Sequence, residues 1–347
     1  MPTFTAMTWN VENLFAPGHR ISPARAVSEA EYEAKLDYLA ERILEVRPDV
    51  VALQEIGGES TADTRPLNDL QGRLQGVYSH AASSQFLDGR GIRVAFLSSL
   101  PIARMDETVD FPPGELAEVP DWDDEPPIRR MGRGALGIEV EFAGERIRLL
   151  TAHLKSKLIS YPSETGTSRF TPRDENERAR GAGLALVRRA AEALTVRTRV
   201  NVWLDDGGAH TIVLGDLNDV PRAATTQMLL GPEDADVTSP DRLDPVRLYN
   251  LMDGIPMRGD ERNDRWFLPE TERHTRTYVG RREILDQILV SRSLLGETGD
   301  LSQGRWRVLE VRSMVDSIEA ESIGNLPSER IGRPRPDHAP VYARFDI

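Results

Sequence analysis

Carboxylates, amides and imidazoles recur at one kind of place in this chain, at the edge of a short apolar run. Ile212-Val213-Leu214-Gly215 leads into Asp216, Asn218 and Asp219; Asn10, Glu55, His153 and Asp286 adjoin similar runs, and Asp337-His338 precede the last one. Burying carboxylates there costs roughly several kcal/mol unless a cation or hydrogen-bond donors offset the lost hydration. The set is rich in oxygen and holds two imidazoles, which suits hard Mg²⁺ or Mn²⁺ better than a structural zinc. It also suits phosphoester hydrolysis. A phosphodiester repels an incoming nucleophile, so the reaction needs positive charge on the phosphoryl oxygens, a base for water and help for the leaving group.

The elements that must position these residues follow from periodicity. Residues 3–11 alternate as an opening strand ending near Asn10. Ser28 and Glu31 form a capping box ahead of Tyr32, Leu36, Leu39, Ile43 and Val46 at helical spacing, and Pro48 stops that helix. Val50 to Leu53 is a buried strand delivering Gln54 and Glu55; Leu67, Leu70 and Leu74 mark a helix, and Val94 to Leu97 a strand. Residues 135–142 and 147–152 flank Ala143-Gly144-Glu145 as a hairpin whose second strand runs into His153. Positions 175–196 are helical, with Ala179, Leu186, Ala190 and Leu194 on one face and arginines around it, read as a solvated face. A short helix is expected from Pro221 to Leu230, and strands at 284–290, 306–311 and 341–345. Polar stretches near 106–130, 156–173, 232–274 and 316–336 read as loop insertions in a single domain over 1–347. His19, His80, His210 and His274 sit in loop-like contexts and read as structural.

A hydrophobic fraction of 39% can build a sizeable core, and no apolar run approaches the roughly 18 residues of a membrane span. Met1-Pro2-Thr3 leads almost directly into a strand without a leader pattern, so a cytoplasmic, monomeric protein is expected. The absence of cysteine excludes disulfides, thiolate metal sites and a cysteine nucleophile. A net charge of −13 argues against a broad cationic groove for nucleic acid. It does not exclude a nuclease, because a divalent ion supplies positive charge locally.

Six segments, in order, resemble the endonuclease/exonuclease/phosphatase superfamily: Thr8-Trp9-Asn10-Val11-Glu12-Asn13, Asp49-Val50-Val51-Ala52-Leu53-Gln54-Glu55, Thr151-Ala152-His153-Leu154-Lys155-Ser156, Gly215-Asp216-Leu217-Asn218, Leu285-Asp286-Gln287-Ile288-Leu289-Val290 and Pro336-Asp337-His338-Ala339-Pro340-Val341. The resemblance implies an α+β fold, a four-layer α/β/β/α sandwich of two mixed sheets flanked by helices, with strand ends gathered at one edge. It also implies roles. Glu55 would be the principal metal ligand, assisted by Asn10 and Asp337, with Glu12 as a further candidate. Asp216 and Asn218 would position the attacking water or hold a second metal. His338, oriented by Asp286, would be base or phosphate ligand, and His153 would contact the phosphate and protonate the leaving oxygen.

The pattern departs from subgroups in two places. Deoxyribonuclease-like members carry a carboxylate on a neighbouring strand that orients the first histidine, and the comparable stretch Gly91-Ile92-Arg93-Val94-Ala95-Phe96 offers Arg93 instead. Abasic-site endonucleases usually have an aromatic where this chain has His153, so that subgroup is set aside. His153-Leu154-Lys155-Ser156-Lys157, with Tyr278 ahead of Leu285, is similar to a bacterial nuclease-like branch, and Arg133, Lys155 and Lys157 would bind flanking phosphates. The expectation is a metal-dependent phosphodiesterase acting on DNA as an endonuclease. The alternatives are a phosphatase or phospholipid phosphodiesterase, for which Trp266-Phe267-Leu268 hints at a lipid-facing hairpin, and a binding module of the same fold without turnover.

Overall fold

The computed structural model describes residues 2–22, 25–122, 125–163, 169–232, 243–253, 273–278, 280–295, 307–318 and 333–347. In chain order the elements are β1 (Thr3–Leu14), β2 (Arg20–Ser22), β3 (Arg25–Ala26), α1 (Glu29–Val46), β4 (Val50–Gly57), α2 (Arg65–Arg73), β5 (His80–Ser83), β6 (Ile92–Ser98), β7 (Ile102–Asp110), β8 (Arg130–Phe142) and β9 (Glu145–His153). There follow α3 (Glu175–Asp206), β10 (His210–Asp216), α4 (Ala224–Leu230), β11 (Leu248–Asn250), β12 (Arg276–Tyr278), β13 (Arg281–Glu283), β14 (Asp286–Ser291), β15 (Val308–Ser313) and β16 (Val341–Asp346).

Two six-stranded sheets form the body, ordered β15-β16-β1-β4-β6-β5 and β11-β14-β10-β9-β8-β7. Each is mixed by a single kind of exception: β1 runs parallel to β4 and β9 parallel to β10, and the other pairs are antiparallel. Three apolar layers result. Phe4, Ala52, Leu149, Leu214, Ile288 and Phe345 fill the space between the sheets. Met7, Trp9, Val51 and Leu53 pack outward on Tyr32, Leu36, Leu39 and Leu70 of α1 and α2, while Val213, Leu150 and Leu289 pack on Ala193, Val196 and Val200 of α3. This is the four-layer sandwich expected. The capping box of α1 forms as well, with Ser28 accepting from the Glu31 N–H and Glu31 accepting from the Ser28 N–H.

Several elements differ from the sequence reading. Residues 106–110, expected in a loop, complete β7, an edge strand whose charged outward side chains blunt a free sheet edge. Helix α3 continues ten residues beyond Val196, held by Val200 in the outer core and by Trp203 against Gly137. Its arginines are not uniformly solvated: Arg189 is buried and pairs with Asp219 at 3.1 Å. His80 and His210 begin strands rather than sitting in loops. Of the expected insertions, most of 232–274 and 316–336 lies outside the described residues, as does Trp266-Phe267-Leu268. No helix among the described residues is long and apolar enough to cross a membrane.

Gly215 serves close strand packing rather than a turn. It sits inside β10 at φ +150°, and a Cβ there would lie 2.1 Å from the Ala152 carbonyl oxygen on β9. The glycine lets two strands approach closely one residue before Asp216 and His153. Gly215→Ala is expected to destabilise the fold by roughly 3 kcal/mol, from overpacking and backbone strain. A thermal melt within a degree of the wild type would contradict this.

Candidate active site

Successive side chains in a strand face opposite sides of the sheet. Ile212 and Leu214 belong to the core between the sheets and Val213 to the outer one, so Asp216 ends an inward row. By the same count His153 follows Ile147 and Leu149, and Asp286 precedes Ile288 and Val290. Strand register sets these three side by side, Asp216 pairing with Asp286 on one flank and His153 on the other. In the facing sheet Asn10 ends the row of Phe4 and Ala6 beside Gln54, which follows Val50 and Ala52. The interior therefore grades from apolar to polar along the strands. Gln54 donates to Thr151 Oγ1 at 2.9 Å and to Thr8 Oγ1 at 3.0 Å, and one layer further Asn10 Nδ2 donates to Asp216 Oδ2 at 3.0 Å.

Beyond Asn10 the β1–β4 register shifts, and beyond Leu53 the β4–β6 register shifts too. Such bulges re-aim side chains at strand ends. Seven non-glycine residues have positive φ among those described, and four lie here: Glu12 (49°), Asn13 (56°), Glu55 (66°) and Asn218 (51°). Left-handed backbone at non-glycine residues costs about 1–3 kcal/mol each and collects at functional sites. Local hydrogen bonds hold these conformations. Glu12 N–H donates to Asn10 Oδ1 (2.9 Å), Asn13 N–H to Glu55 Oε2 (2.9 Å), and Asn218 N–H to Asp216 Oδ1 (2.9 Å).

His338 enters from the turn before β16, its carbonyl accepting from Trp9 Nε1 at 2.9 Å. Its Nδ1 lies 2.6 Å from Asp286 Oδ2 and its Nε2 4.0 Å from Asp216 Oδ2. Burial opposes a charge on this ring, but Asp286, Asp216 and Asp337 outweigh it and raise the imidazole to about 10. Burial also opposes ionisation of Asp216; the neighbouring His338 and His153 and the hydrogen bond from Asn10 nevertheless hold its carboxyl well below the usual range. Asp286 goes the other way, pushed up by burial and by the Asp216 charge. The charged ring contributes stability fully present below its ordinary pKa of 6.5 and lost as pH rises through about 10. In EDTA, NMR of the imidazole is expected to find His338 protonated at neutral pH, and Asp286→Asn to lower its midpoint by roughly 1–3 pH units. An unmoved midpoint would remove Asp286 as the proton's partner.

Further oxygen donors lie nearby, with Asp337 Oδ1 3.9 Å from His338 Nε2. Glu12 Oε2 accepts from the Asp337 N–H at 3.0 Å. Burial disfavours the Glu55 carboxylate, yet the charges of Arg90, His153 and Arg133 hold it below the ordinary range. Asn13 Oδ1 is buried without a hydrogen-bond partner among the described residues. Glu55, Glu12, Asp337, the Asn10 amide and the Asn13 oxygen are hard donors of the chemistry that suits Mg²⁺ or Mn²⁺. Asp216, Asp286 and His338 also present ligand atoms within 4.8 Å of one another. Within that trio His338 Nδ1 and Asp286 Oδ2 face each other, and Asp286 Oδ1 is buried without a hydrogen-bond partner among the described residues.

His153 Nε2 stands 3.3 Å from Asp216 Oδ2 and 3.9 Å from Glu55 Oε1, while its buried Nδ1 has no hydrogen-bond partner, carboxylate or other, among the described residues. Arg93 instead donates to the carbonyls of Ser60, Thr61, Asp63 and Ser84 and braces the segment after β4. Asn218 Nδ2 donates to the Leu154 carbonyl at 3.0 Å, and Asp219 is tied to Arg189 and Lys157. Of the anticipated phosphate contacts, Arg133 reaches Asp88 at 3.3 Å and lies near Glu55. Lys157 is half exposed and bridges Asp219 at 3.1 Å. Lys155 turns away from Asp216 towards the carbonyls of Ser156 and Leu158, and burial, with Arg133 and Arg188 nearby, lowers its ammonium to about 8.

Sequence reasoning passed over Asn13, Arg90 and Glu192. Asn13 stood inside a quoted motif, but nothing in its spacing distinguished it. Arg90 lies in a turn without periodicity. Glu192, buried on α3, accepts from the N–H groups of Gly132 and Lys155 and so anchors the segment behind His153. An acid on the apolar side of an amphipathic helix was the available signal.

Two sheets whose facing strand ends converge on acids, amides and a His–Asp pair define a known class, and the chain belongs to it: residues 7–300 match the Endonuclease/Exonuclease/phosphatase family. Members of that family are metal-dependent phosphoester hydrolases. Among solved structures the chain is similar to truncated TDP2 of Caenorhabditis elegans, at 15% identity and TM-score 0.53 over 99% of this chain and 98% of that one. It is similar to the human Nocturnin catalytic domain with bound sulfate at 14% identity and TM-score 0.53, over 99% and 94%. A third is the endonuclease/exonuclease/phosphatase of Bacteroides vulgatus, at 12% and 0.52 over the full length of both chains. At these identities the likeness speaks for the fold. No curated protein matches in sequence.

Proposed function

We propose that this chain is a divalent-metal-dependent phosphodiesterase whose substrate is DNA, cut as by an endonuclease. The observation carrying the reading is the convergence of Glu55, His153, Asp216 and His338 from four separate strand ends onto one buried polar cluster. Glu55, Asn10, Asp337 and Glu12, with Asn13, would hold Mg²⁺ or Mn²⁺. When bound, the ion supplies positive charge to the phosphoryl oxygens and to the developing leaving group.

The chain's own groups do the rest. Charged His338 pairs with a non-bridging phosphoryl oxygen through Nε2, its proton on Nδ1 held by Asp286. Asp216, fixed by the Asn10 amide and the Asn218 N–H, receives a proton from the attacking water. Asn218, its amide nitrogen committed to Leu154, keeps its amide oxygen to orient that water. His153 donates from Nε2 to the leaving oxygen, oriented by packing and by Asp216 rather than by a carboxylate on Nδ1. Arg133 and Arg90 receive a flanking phosphate, with Lys155 and Lys157 serving the next ones along. One domain over 1–347, a monomer in the cytoplasm, completes the reading.

The test is a substrate panel of plasmid DNA, RNA, inositol phosphates and phospholipid vesicles, each with Mg²⁺, Mn²⁺ or EDTA. Plasmid nicking with either metal, abolished by EDTA, is expected. Turnover of inositol phosphate or lipid without nicking would replace this reading with the phosphatase or phospholipase one. Binding without turnover of any substrate would replace it with the non-catalytic one.

A further inference from the structure

A cleft of about 350 Å³ shares only Lys155 with the chemistry proposed above. Its walls come from the segment before β8, the segment after β9 and the first half of α3, and Trp122, Tyr161, Lys155, Gly181 and Arg188 line it. Trp122 packs against the helix because Gly181 has no side chain; a Cβ there would lie 3.2 Å from the indole. The Trp122 and Tyr161 rings are 5.9 Å apart and inclined at 50°, so they do not stack on each other. Each carries a guanidinium over one face, Arg180 at 5.4 Å and Arg169 at 5.7 Å.

Tyr161 is 3% exposed, and two polar groups in this lining keep donors to spare. Arg188 is bonded to Glu192 through Nε, which leaves the two terminal nitrogens of its fork without a bond among the described residues. Lys155 spends two donors on the carbonyls of Ser156 and Leu158 and keeps a third. A guanidinium fork beside an ammonium is phosphate chemistry. Aromatic rings set next to it are base chemistry.

The cleft is tied to the reaction centre through the segment that carries Lys155. Lys155 is two residues beyond His153, at most about 7 Å of extended chain, a span that a neighbouring nucleotide can bridge. Glu192 holds the N–H groups of Gly132 and Lys155, so the cleft wall and the strands bearing Arg133 and His153 are one framework. From this we infer that the cleft is a subsite for one unpaired nucleotide, its base against Trp122 and Tyr161 and its phosphate on Arg188 and Lys155. A base inside a duplex is stacked on both faces and cannot enter, so the substrate is single-stranded or locally unpaired nucleic acid. The inference rests on the proposed nuclease reading and narrows it.

The test is fluorescence anisotropy with a labelled ten-nucleotide single strand and the matching duplex, in EDTA so that binding is read without cleavage. The wild type is expected to bind the single strand at least tenfold more tightly. Trp122→Leu and Arg188→Gln should each weaken single-strand binding about tenfold, within the range for loss of one stacked base, and leave duplex binding as it was. Arg188→Gln guards against Trp122→Leu failing to fold, since Arg188 is a partly exposed helix residue. Equal affinity for both nucleic acids, or neither variant altering it, overturns the subsite. Failure of the nuclease reading shows separately, as absence of DNA cleavage under every metal in the substrate panel.

Discussion

Asp216→Ala and His338→Ala are each expected to lower turnover on DNA by about three orders of magnitude, within the range for removing a general base or a charge partner of the transition state. Both groups meet at one place, with His338 Nε2 4.0 Å from Asp216 Oδ2 and His153 Nε2 3.3 Å from the same oxygen. Removing Asp216 leaves two imidazoles without their shared counter-charge; removing His338 strands Asp286 and Asp216, two carboxylates already in repulsion. The double variant should therefore lose little more than either single one, because residues acting as a unit are not additive. Single-turnover kinetics on plasmid DNA with Mn²⁺ reads the effect, and circular dichroism with thermal melts checks the fold. Asp216→Asn, of nearly the same volume, separates loss of charge from loss of packing. A decrease below tenfold for both alanine variants would remove this mechanism.

What the sequence reveals and what it hides have separate physical causes here. The central strands were legible because each alternates apolar side chains before its polar end, as Phe4, Ala6 and Asn10 or Ile212, Leu214 and Asp216 do. β5 was not: His80-Ala81-Ala82-Ser83 has no β-branched residue and owes its extended form to pairing with β6. β7 was hidden by its charges, which at a sheet edge are a protective feature rather than evidence of a loop. Residues that carry charge or metal-type donors could be singled out because their chemistry is visible in their type. Those that work through backbone geometry were not. The left-handed conformation of Asn13 and Glu55, and the bulges that produce it, come from register shifts between strands far apart in sequence. Arg93 shows the reverse: its departure from the family pattern was readable, but only the structure reveals that it braces Ser60 to Asp63, with His153 Nδ1 left without a partner among the described residues.

The second large effect concerns the divalent ion. Glu55→Ala is expected to weaken Mn²⁺ binding by a hundredfold or more, roughly 2.7 kcal/mol or above. The charges of Arg90, His153 and Arg133 hold Glu55 ionised, and it already repels Asp337 in the free protein. That repulsion is relieved when a cation joins the two, so the loss falls on the ion-bound state. Glu55→Gln is the sharper variant. It retains an oxygen for the Asn13 N–H and the length of the side chain, at a residue with φ of 66°, and removes only the charge. Calorimetry gives the affinity directly, and thermal shift gives it through linkage: at about a hundred times Kd an ion binding only the folded state adds about 2.7 kcal/mol. Wild-type protein should therefore melt higher in Mn²⁺ than in EDTA, with the increment largely absent in both variants. If Mn²⁺ affinity is unchanged in Glu55→Gln while Asp216→Asn abolishes it, the ion belongs to the Asp216, Asp286 and His338 group instead. The roles of the two halves of the site would then exchange.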